Sequence, residues 1–591
     1  MPENLLSSAA WPLMSRRLSQ LDESLIVRFV GVGGDGILTA GRMLTEAAAL
    51  SGLEVLSGAT FSAEVRGGDT MYQLRVSPST LLTEGDRVDV WVVLDHEAHR
   101  AHREDLTAGD VVLYDRVHDA APRAYPPGVV SYPVPMSALA EAAGSPVAKN
   151  VVALGVLSEL FGFSFANIET SLRKRLATKG HHVVSSNLAA LAGGARYAKE
   201  HLVKRDRFLA PVGAARDEAV LLTGNEAIGL GALMAGCRLY AHYPITPATS
   251  VAEWLAVHLP LLGGKICAAE DGMASLGVAI GASLAGVKAM TGTSGPGLDL
   301  MQELIGYASM AEIPVVVVDI QRAGASTGLP TKYEQADLLS ATCGAHGDAP
   351  RIVLAPGDVH DCVHLTVEAF NLAERYQLPV ILLSDASLAL REHTIARPNL
   401  AAIAVVDRVP FLPGQGPYSR YRLTDSGISP MSVPGQAGGE YAATGLEHTG
   451  LAFPSDAPDI HEAMTDKRFQ KLLRLEDECP PVEREGPPAA AVGLVSWGST
   501  QGAVREAVQR FNAIGMPVAA LYPKVLWPPP VKTLTDFARS VGQVVVVEGN
   551  RQGQFARVIA ASTAIKPKLV TRYRGVPLTA WDIFGREDLT Q

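Results

Sequence analysis

Residues 242–250 read His-Tyr-Pro-Ile-Thr-Pro-Ala-Thr-Ser, and residues 289–297 read Ala-Met-Thr-Gly-Thr-Ser-Gly-Pro-Gly. Between them lie Ile266-Cys267-Ala268-Ala269-Glu270-Asp271-Gly272 and a run of small and apolar residues that predicts a helix over 273–284. Pro244 and Pro247 flank Thr246, so the backbone is held away from helix and a stiff, extended turn presents the Thr246 hydroxyl. Gly292 to Gly297 is a Gly/Ser/Thr/Pro turn that opens another helix, where backbone N–H groups can meet an anion. Each piece alone is ordinary in an α/β protein. The three in this order decide the reading.

A chain of 591 residues is too long for one core, and three or four domains are expected. An excess of 61 acids over 51 bases gives a net charge of −10, which argues against nucleic acid or a membrane surface as partner. No apolar run approaches the roughly 18 residues of a membrane span. Residues 1–24 carry Glu3, Arg16, Arg17, Asp22 and Glu23 instead of an apolar signal core, and read as the leader of a cytoplasmic protein. Cys237, Cys267, Cys343, Cys362 and Cys479 form no CxxC pair, so no zinc or cluster motif is visible and no metal site is expected on this chain. They read as free thiols of a reducing compartment. Any iron–sulfur chemistry would sit on another chain.

Working outward, residues 25–30 predict a strand, 31–36 a glycine turn and 37–52 a helix. Strand, turn and helix suggest phosphate binding, but the spacing is not a clean GxGxxG and reads equally as a tight turn. Further strand-like runs at 54–56, 71–76, 88–94, 111–114 and 129–134, with helices at 151–159 and 168–176, predict a parallel α/β layer. The domains expected are 25–205, then 217–396 around the quoted stretch, a Pro/Gly-rich arm over 397–488, and 489–591, where strand and helix alternate again. An irregular segment as long as that arm is usually functional or connects domains.

With those residues in place, the chain resembles the α subunit of 2-oxoacid:ferredoxin oxidoreductases of the 2-oxoglutarate type, with the family's γ domain fused at the N-terminus. Gly31 to Gly36 and Glu64-Val65-Arg66-Gly67-Gly68 are similar to γ signatures. Gly224-Asn225-Glu226-Ala227, Tyr243-Pro244-Ile245-Thr246-Pro247, and Gln321-Arg322 through Thr331-Lys332 are similar to α signatures. The resemblance implies three α/β domains: a Rossmann-like γ domain, a thiamine diphosphate pyrimidine-binding domain and a transketolase C-terminal-like domain. It implies that a 2-oxoacid is attacked by thiamine, decarboxylated, and oxidised through [4Fe–4S] clusters to ferredoxin, with coenzyme A capturing the acyl group. The clusters and the Mg²⁺-diphosphate site belong on a β subunit, in an (αβ)₂ assembly.

The resemblance also assigns roles. Tyr243, Thr246, Arg322 and Thr331 would bind substrate, with Arg322 on the 1-carboxylate and Thr246 giving a buried donor to the oxo or carboxylate oxygen. Pro247, Glu270 and Asp271 would contact the cofactor. Lys332, Glu334, Gln335 and residues 344–350 lean toward 2-oxoglutarate rather than pyruvate or a branched-chain acid. The N-terminal domain would serve assembly and cover the site near coenzyme A, without binding a nicotinamide dinucleotide. One departure stands out: the family's ring-activating glutamate falls on Gly272. Either Glu270 or Asp271 reaches the ring, or activation proceeds otherwise, or the chain is less active or purely a binding protein. Glu270 is the favoured catalytic acid, against the reading of a solvated acid at a helix start.

Overall fold

The computed structural model describes residues 23–60, 68–118, 125–214, 218–414, 417–586 and 589. The leader to residue 22 and Glu64 to Gly67 of the γ-like signature lie outside them. The chain divides into two compact units: residues up to 222 with 390–397 and those from 579 on, and residues 223–389 with 398–578.

The first unit holds an eight-stranded sheet in the order Val130–Val134, Val111–Asp115, Val90–Val93, Leu25–Val32, Asp69–Ser77, Glu54–Thr60, Glu392–Ala396, Ala219–Thr223. The first four strands run parallel, as expected. Asp69–Ser77 pairs antiparallel with both neighbours, and Glu392–Ala396 antiparallel with Glu54–Thr60, so this sheet is mixed. Its core also buries two crossing helices, Lys149–Phe161 and His181–His201. They approach backbone to backbone at glycines: a Cβ on Gly194 would overlap the Val152 carbonyl, and one on Gly155 the Leu191 carbonyl. The 31–36 turn is filled by its own side chains. Asp35 Oδ2 accepts from the Val32 N–H at 3.1 Å, and Lys149 pairs with Asp35 Oδ1 at 2.7 Å.

The second unit carries a seven-stranded sheet ordered Val525–Trp527, Ile352–Leu354, Pro379–Asp385, Val315–Gln321, Ala289–Thr293, Leu239–His242, Lys265–Ala268. All but the first of these strands are parallel. Every residue of Val315–Gln321 is buried, as a central parallel strand covered on both faces requires. Its loops therefore gather the C-terminal ends of several strands along one edge, where open α/β sheets bind ligands. A five-stranded sheet, Glu483–Glu485, Val518–Tyr522, Ala490–Ser496, Val541–Glu548 and Lys568–Thr571, belongs to the same unit and shares its core.

Residues 398–488 are largely irregular apart from the short turn of helix Leu400–Ala402, the helices Pro458–Gln470 and Leu475–Glu478 and the strand Glu483–Glu485, yet they are tied down by buried charge. Lys467 and Lys471 each reach the Glu312 carboxylate at 2.6 Å, and Arg420 donates to the Glu312 carbonyl at 2.7 Å. Arg408 grips Glu374 through two bonds of 2.6 and 2.7 Å and also donates to the Ser283 carbonyl. The arm is thus part of the unit's core rather than a loose connection.

Candidate active site

The Tyr243–Pro247 turn leaves the end of strand Leu239–His242, and its Thr246–Pro247 bond is cis. Asn225, fully buried in the helix Gly224–Met234, fixes this turn from below. Its Nδ2 donates to the Pro247 carbonyl at 2.9 Å and to Ser250 Oγ at 2.7 Å. The helix is started by a capping box in which Thr223 and Glu226 satisfy each other's backbone N–H groups. Glu226 is therefore structural. Asn225 was visible in its motif, and a buried amide in an apolar helix is the signal for its role.

Arg322 follows directly on strand Val315–Gln321. It is 7% exposed, and its Nη1 donates to the Thr246 carbonyl at 2.8 Å while Nη2 donates to the Thr327 carbonyl at 3.2 Å. Its Nε is buried with no hydrogen-bond partner among the described residues. Burial lowers its pKa. A surface ion pair, the ordinary alternative for such an arginine, is excluded. The loop behind it closes through Ala323 N–H to the Lys332 carbonyl (3.0 Å) and Leu329 N–H to the Ala323 carbonyl (2.9 Å), which brings half-buried Thr331 back beside Arg322. Gln335 is spent on structure: it exchanges bonds of 2.8 Å with Gly549 in both directions and donates to the Trp497 carbonyl.

On the other side, strand Lys265–Ala268 pairs with Leu239–His242, and the Ala269 N–H donates to the His242 carbonyl at 2.9 Å. That pairing carries Ala269, the residue before Glu270, alongside the start of the Tyr243–Pro247 turn. Glu270 is exposed, whereas Asp271 caps the helix Gly272–Leu284, its Oδ1 accepting from the Ala274 N–H at 2.7 Å. One oxygen of Asp271, expected at the cofactor, is thus engaged at the helix start. A correction concerns Thr246. In this chain by itself Thr246 and Tyr243 are exposed, so the expected burial of the Thr246 hydroxyl is not met.

Buried polar atoms without partners among the described residues mark the ends of four neighbouring strands. They are His242 Nδ1, Thr291 Oγ1 with Ser294 Oγ, both carboxylate oxygens of Asp319, and Ser384 Oγ, with Asn225 Oδ1 beside them. Burial lowers the His242 pKa and so favours its neutral ring. Such a seam can receive a polar heteroaromatic ring and a carboxylate. Asp319 and its neighbour Asp337 were not singled out from sequence, although an acid inside Val-Val-Val-Val-Asp-Ile-Gln is a legible anomaly.

The chain is similar to known proteins over most of its length. The family described as pyruvate flavodoxin/ferredoxin oxidoreductase, thiamine diphosphate-binding, matches residues 230–466. The pyruvate ferredoxin/flavodoxin oxidoreductase family matches residues 26–197, and core domain II of pyruvate:ferredoxin oxidoreductase matches residues 490–580. The chain is 32% identical to the α subunit of 2-oxoacid:ferredoxin oxidoreductase 2 of Aeropyrum pernix, over 96% of this chain and 97% of that one. It is 32% identical to 2-oxoglutarate oxidoreductase subunit KorA of Mycobacterium tuberculosis, over 95% and 91%. It matches a solved 2-oxoglutarate:ferredoxin oxidoreductase of Magnetococcus marinus, with 2-oxoglutarate, coenzyme A and succinyl-CoA bound, at 45% identity and a TM-score of 0.93, covering 96% and 99%. The chain belongs to the 2-oxoacid:ferredoxin oxidoreductase family.

Proposed function

We propose that this chain is the α-type subunit of a 2-oxoglutarate:ferredoxin oxidoreductase, which converts 2-oxoglutarate and coenzyme A to succinyl-CoA and CO₂ and reduces ferredoxin, or runs the reverse carboxylation. The observation that carries the reading is a buried arginine, Arg322, bound only to carbonyls, at the edge of a sheet whose family match is to thiamine diphosphate-binding proteins. The likeness to a solved 2-oxoglutarate enzyme supports the choice of oxoacid. When bound, thiamine diphosphate supplies the carbon nucleophile and the electron sink for decarboxylation. Pro247 and Glu270 line the ring side of the site on this chain. Arg322 takes the 1-carboxylate, whose planar pair of oxygens suits a guanidinium. Thr246 and Thr331 supply hydroxyl donors to the oxoacid.

The exposure of Tyr243, Thr246 and Glu270 supports a β-type partner that covers this edge, holds the diphosphate with Mg²⁺ and carries the [4Fe–4S] clusters, in an (αβ)₂ assembly within the cytoplasm. Among the described residues no helix is long and apolar enough to cross a membrane. A second reading, a chain that keeps the fold without catalysing, is favoured by Gly272 alone. Co-expression with the β-type partner separates them: viologen reduction across 2-oxoglutarate, pyruvate and branched-chain oxoacids, each with coenzyme A, should be largest with 2-oxoglutarate. No thiamine-dependent turnover by the pair would sink the enzymatic reading.

Two substitutions test the roles. Arg322→Lys keeps the charge and loses the bidentate fork; KM for the oxoacid should rise about tenfold with the fold intact. Unchanged KM and kcat would remove Arg322 from the site. Thr246→Val keeps the shape and removes the donor, and should lower kcat/KM about tenfold to a hundredfold. Wild-type kinetics would leave Thr246 with only the turn to shape.

A further inference from the structure

Behind Arg322 lies a feature that carbonyl binding alone does not explain. Asp319, fully buried on the strand that leads into Arg322, and Asp337, at the start of the helix Leu338–Cys343, lie within hydrogen-bonding reach of each other. Both Asp319 oxygens and Asp337 Oδ2 are buried and find no ordinary donor among the described residues. Asp337 makes no side-chain cap for its helix; its backbone N–H donates to Gln321 Oε1 at 3.1 Å. The pair also abuts the start of the helix Gly295–Met310, since a Cβ on Gly295 would lie 3.0 Å from Asp337 Oδ2. No ion pair within 4 Å joins Arg322 to either acid among the described residues.

We infer that Asp319 and Asp337 share one proton and act as positioning residues for Arg322, balancing its charge from behind while leaving its outer face to the oxoacid carboxylate. This rests on the reading of Arg322 given above. Two buried carboxylates in contact cannot both ionise, so a proton bonds them together. The single remaining negative charge is favoured by Arg322 and by the helix start. A direct ion pair would occupy the guanidinium; a charge set one layer back does not. Burial raises both pKa values; the contact raises Asp319 further and lowers Asp337, Asp299 adds negative charge near both and Glu334 near Asp337, and Arg322 opposes them. The shared proton therefore leaves far above the ordinary carboxylate range, and its loss puts a second charge on the pair. As pH rises through that ionisation, a negative charge appears behind Arg322 and weakens its hold on an anionic substrate.

The test uses Asp337→Asn and Asp319→Asn. Neither side chain caps a helix through the structure described, so both variants should fold. In the infrared at about pH 8 the wild-type full chain should show a protonated-carboxyl band, shifted in D₂O, that the double variant carrying both substitutions lacks. In the complex with the β-type partner, wild-type KM for the oxoacid should rise about tenfold from about pH 6 to about pH 9, while that of the double variant changes by less than about twofold. Absence of the band, or a variant KM profile that follows wild type, would overturn the pair. Arg322→Lys keeps the two ideas apart: an unchanged KM with the band present would overturn the Arg322 reading and leave the shared proton standing.

Discussion

Replacing Glu312 by glutamine is expected to destabilise the second unit by about 3–5 kcal/mol, because it leaves two buried ammonium groups without their counter-charge. Glu312, Lys467, Lys471 and Arg420 are each at most 2% exposed. Lys467 contributes bonds of 2.7 and 2.6 Å to the carboxylate, and its third donor goes to the Gly427 carbonyl at 2.9 Å. Calorimetry should show the unit's transition lowered by roughly 5–10 °C. A variant in which Glu312, Lys467 and Lys471 are all replaced by apolar residues of similar length should recover most of this loss, since breaking an ion cluster costs more than removing it. A single variant as stable as wild type would mean that the lysines find water or another acceptor.

The pH dependence of that cluster follows from two opposite shifts. Burial works against the Glu312 charge, but Lys471, Lys467 and Arg420 together hold its pKa down to about 2. Its stabilisation is complete above the unfolded carboxylate value, about 4.3, and is lost as pH falls toward 2. Burial lowers Lys471 to about 7 despite the attraction of Glu312. Below that pH the folded chain bears the full cost of the buried charge, and stability recovers as pH rises from 7 toward the unfolded lysine value near 10.4. The Glu312→Gln variant loses the attraction that holds the lysine pKa up, and should therefore be weakest below neutral pH and regain stability steadily toward about pH 9.

None of this cluster was legible in the sequence, because Glu312 and Lys467 lie 155 residues apart and sequence pattern carries only local periodicity. The strand Val315–Gln321 was legible, because burial on both faces writes an unbroken apolar run. The helix His181–His201 was not anticipated; Gly194 near its middle lets a second helix approach. The 31–36 motif reads equally as a phosphate loop or a tight turn, and within it Asp35 bonds the Val32 N–H and pairs with Lys149. At the site, motif order was enough to group Thr246, Pro247, Arg322 and Thr331, which the fold brings together through the Arg322–Thr246 bond and the 323–332 loop. The acids Asp319 and Asp337 escaped notice because their contact is made by the loop's return path, not by spacing along the chain.

The missing glutamate leads to the other large effect: Glu270→Gln should slow both turnover and H/D exchange at the thiamine carbon by about 10²–10⁴-fold, the usual worth of a positioned acid–base group. Its neighbour gives the control. Asp271 holds the first turn of the helix Gly272–Leu284, and asparagine caps as well as aspartate, so Asp271→Asn should leave both rates and the fold nearly unchanged. The converse test is open because Gly272 is a helical residue without a positive φ, and a Cβ there would meet only the Met301 methyl at 3.3 Å and Gly297 at 3.5 Å. A flexible methionine end can give by that amount. Gly272→Glu should therefore fold, gain roughly 1 kcal/mol of helix propensity, and place an acid in the helix's first turn, where the dipole favours it. In the Glu270→Gln background it should restore exchange toward the wild-type rate. Should Glu270→Gln and Asp271→Asn both exchange at the wild-type rate, neither acid activates the cofactor, and the activating group must come from water or from the β-type partner.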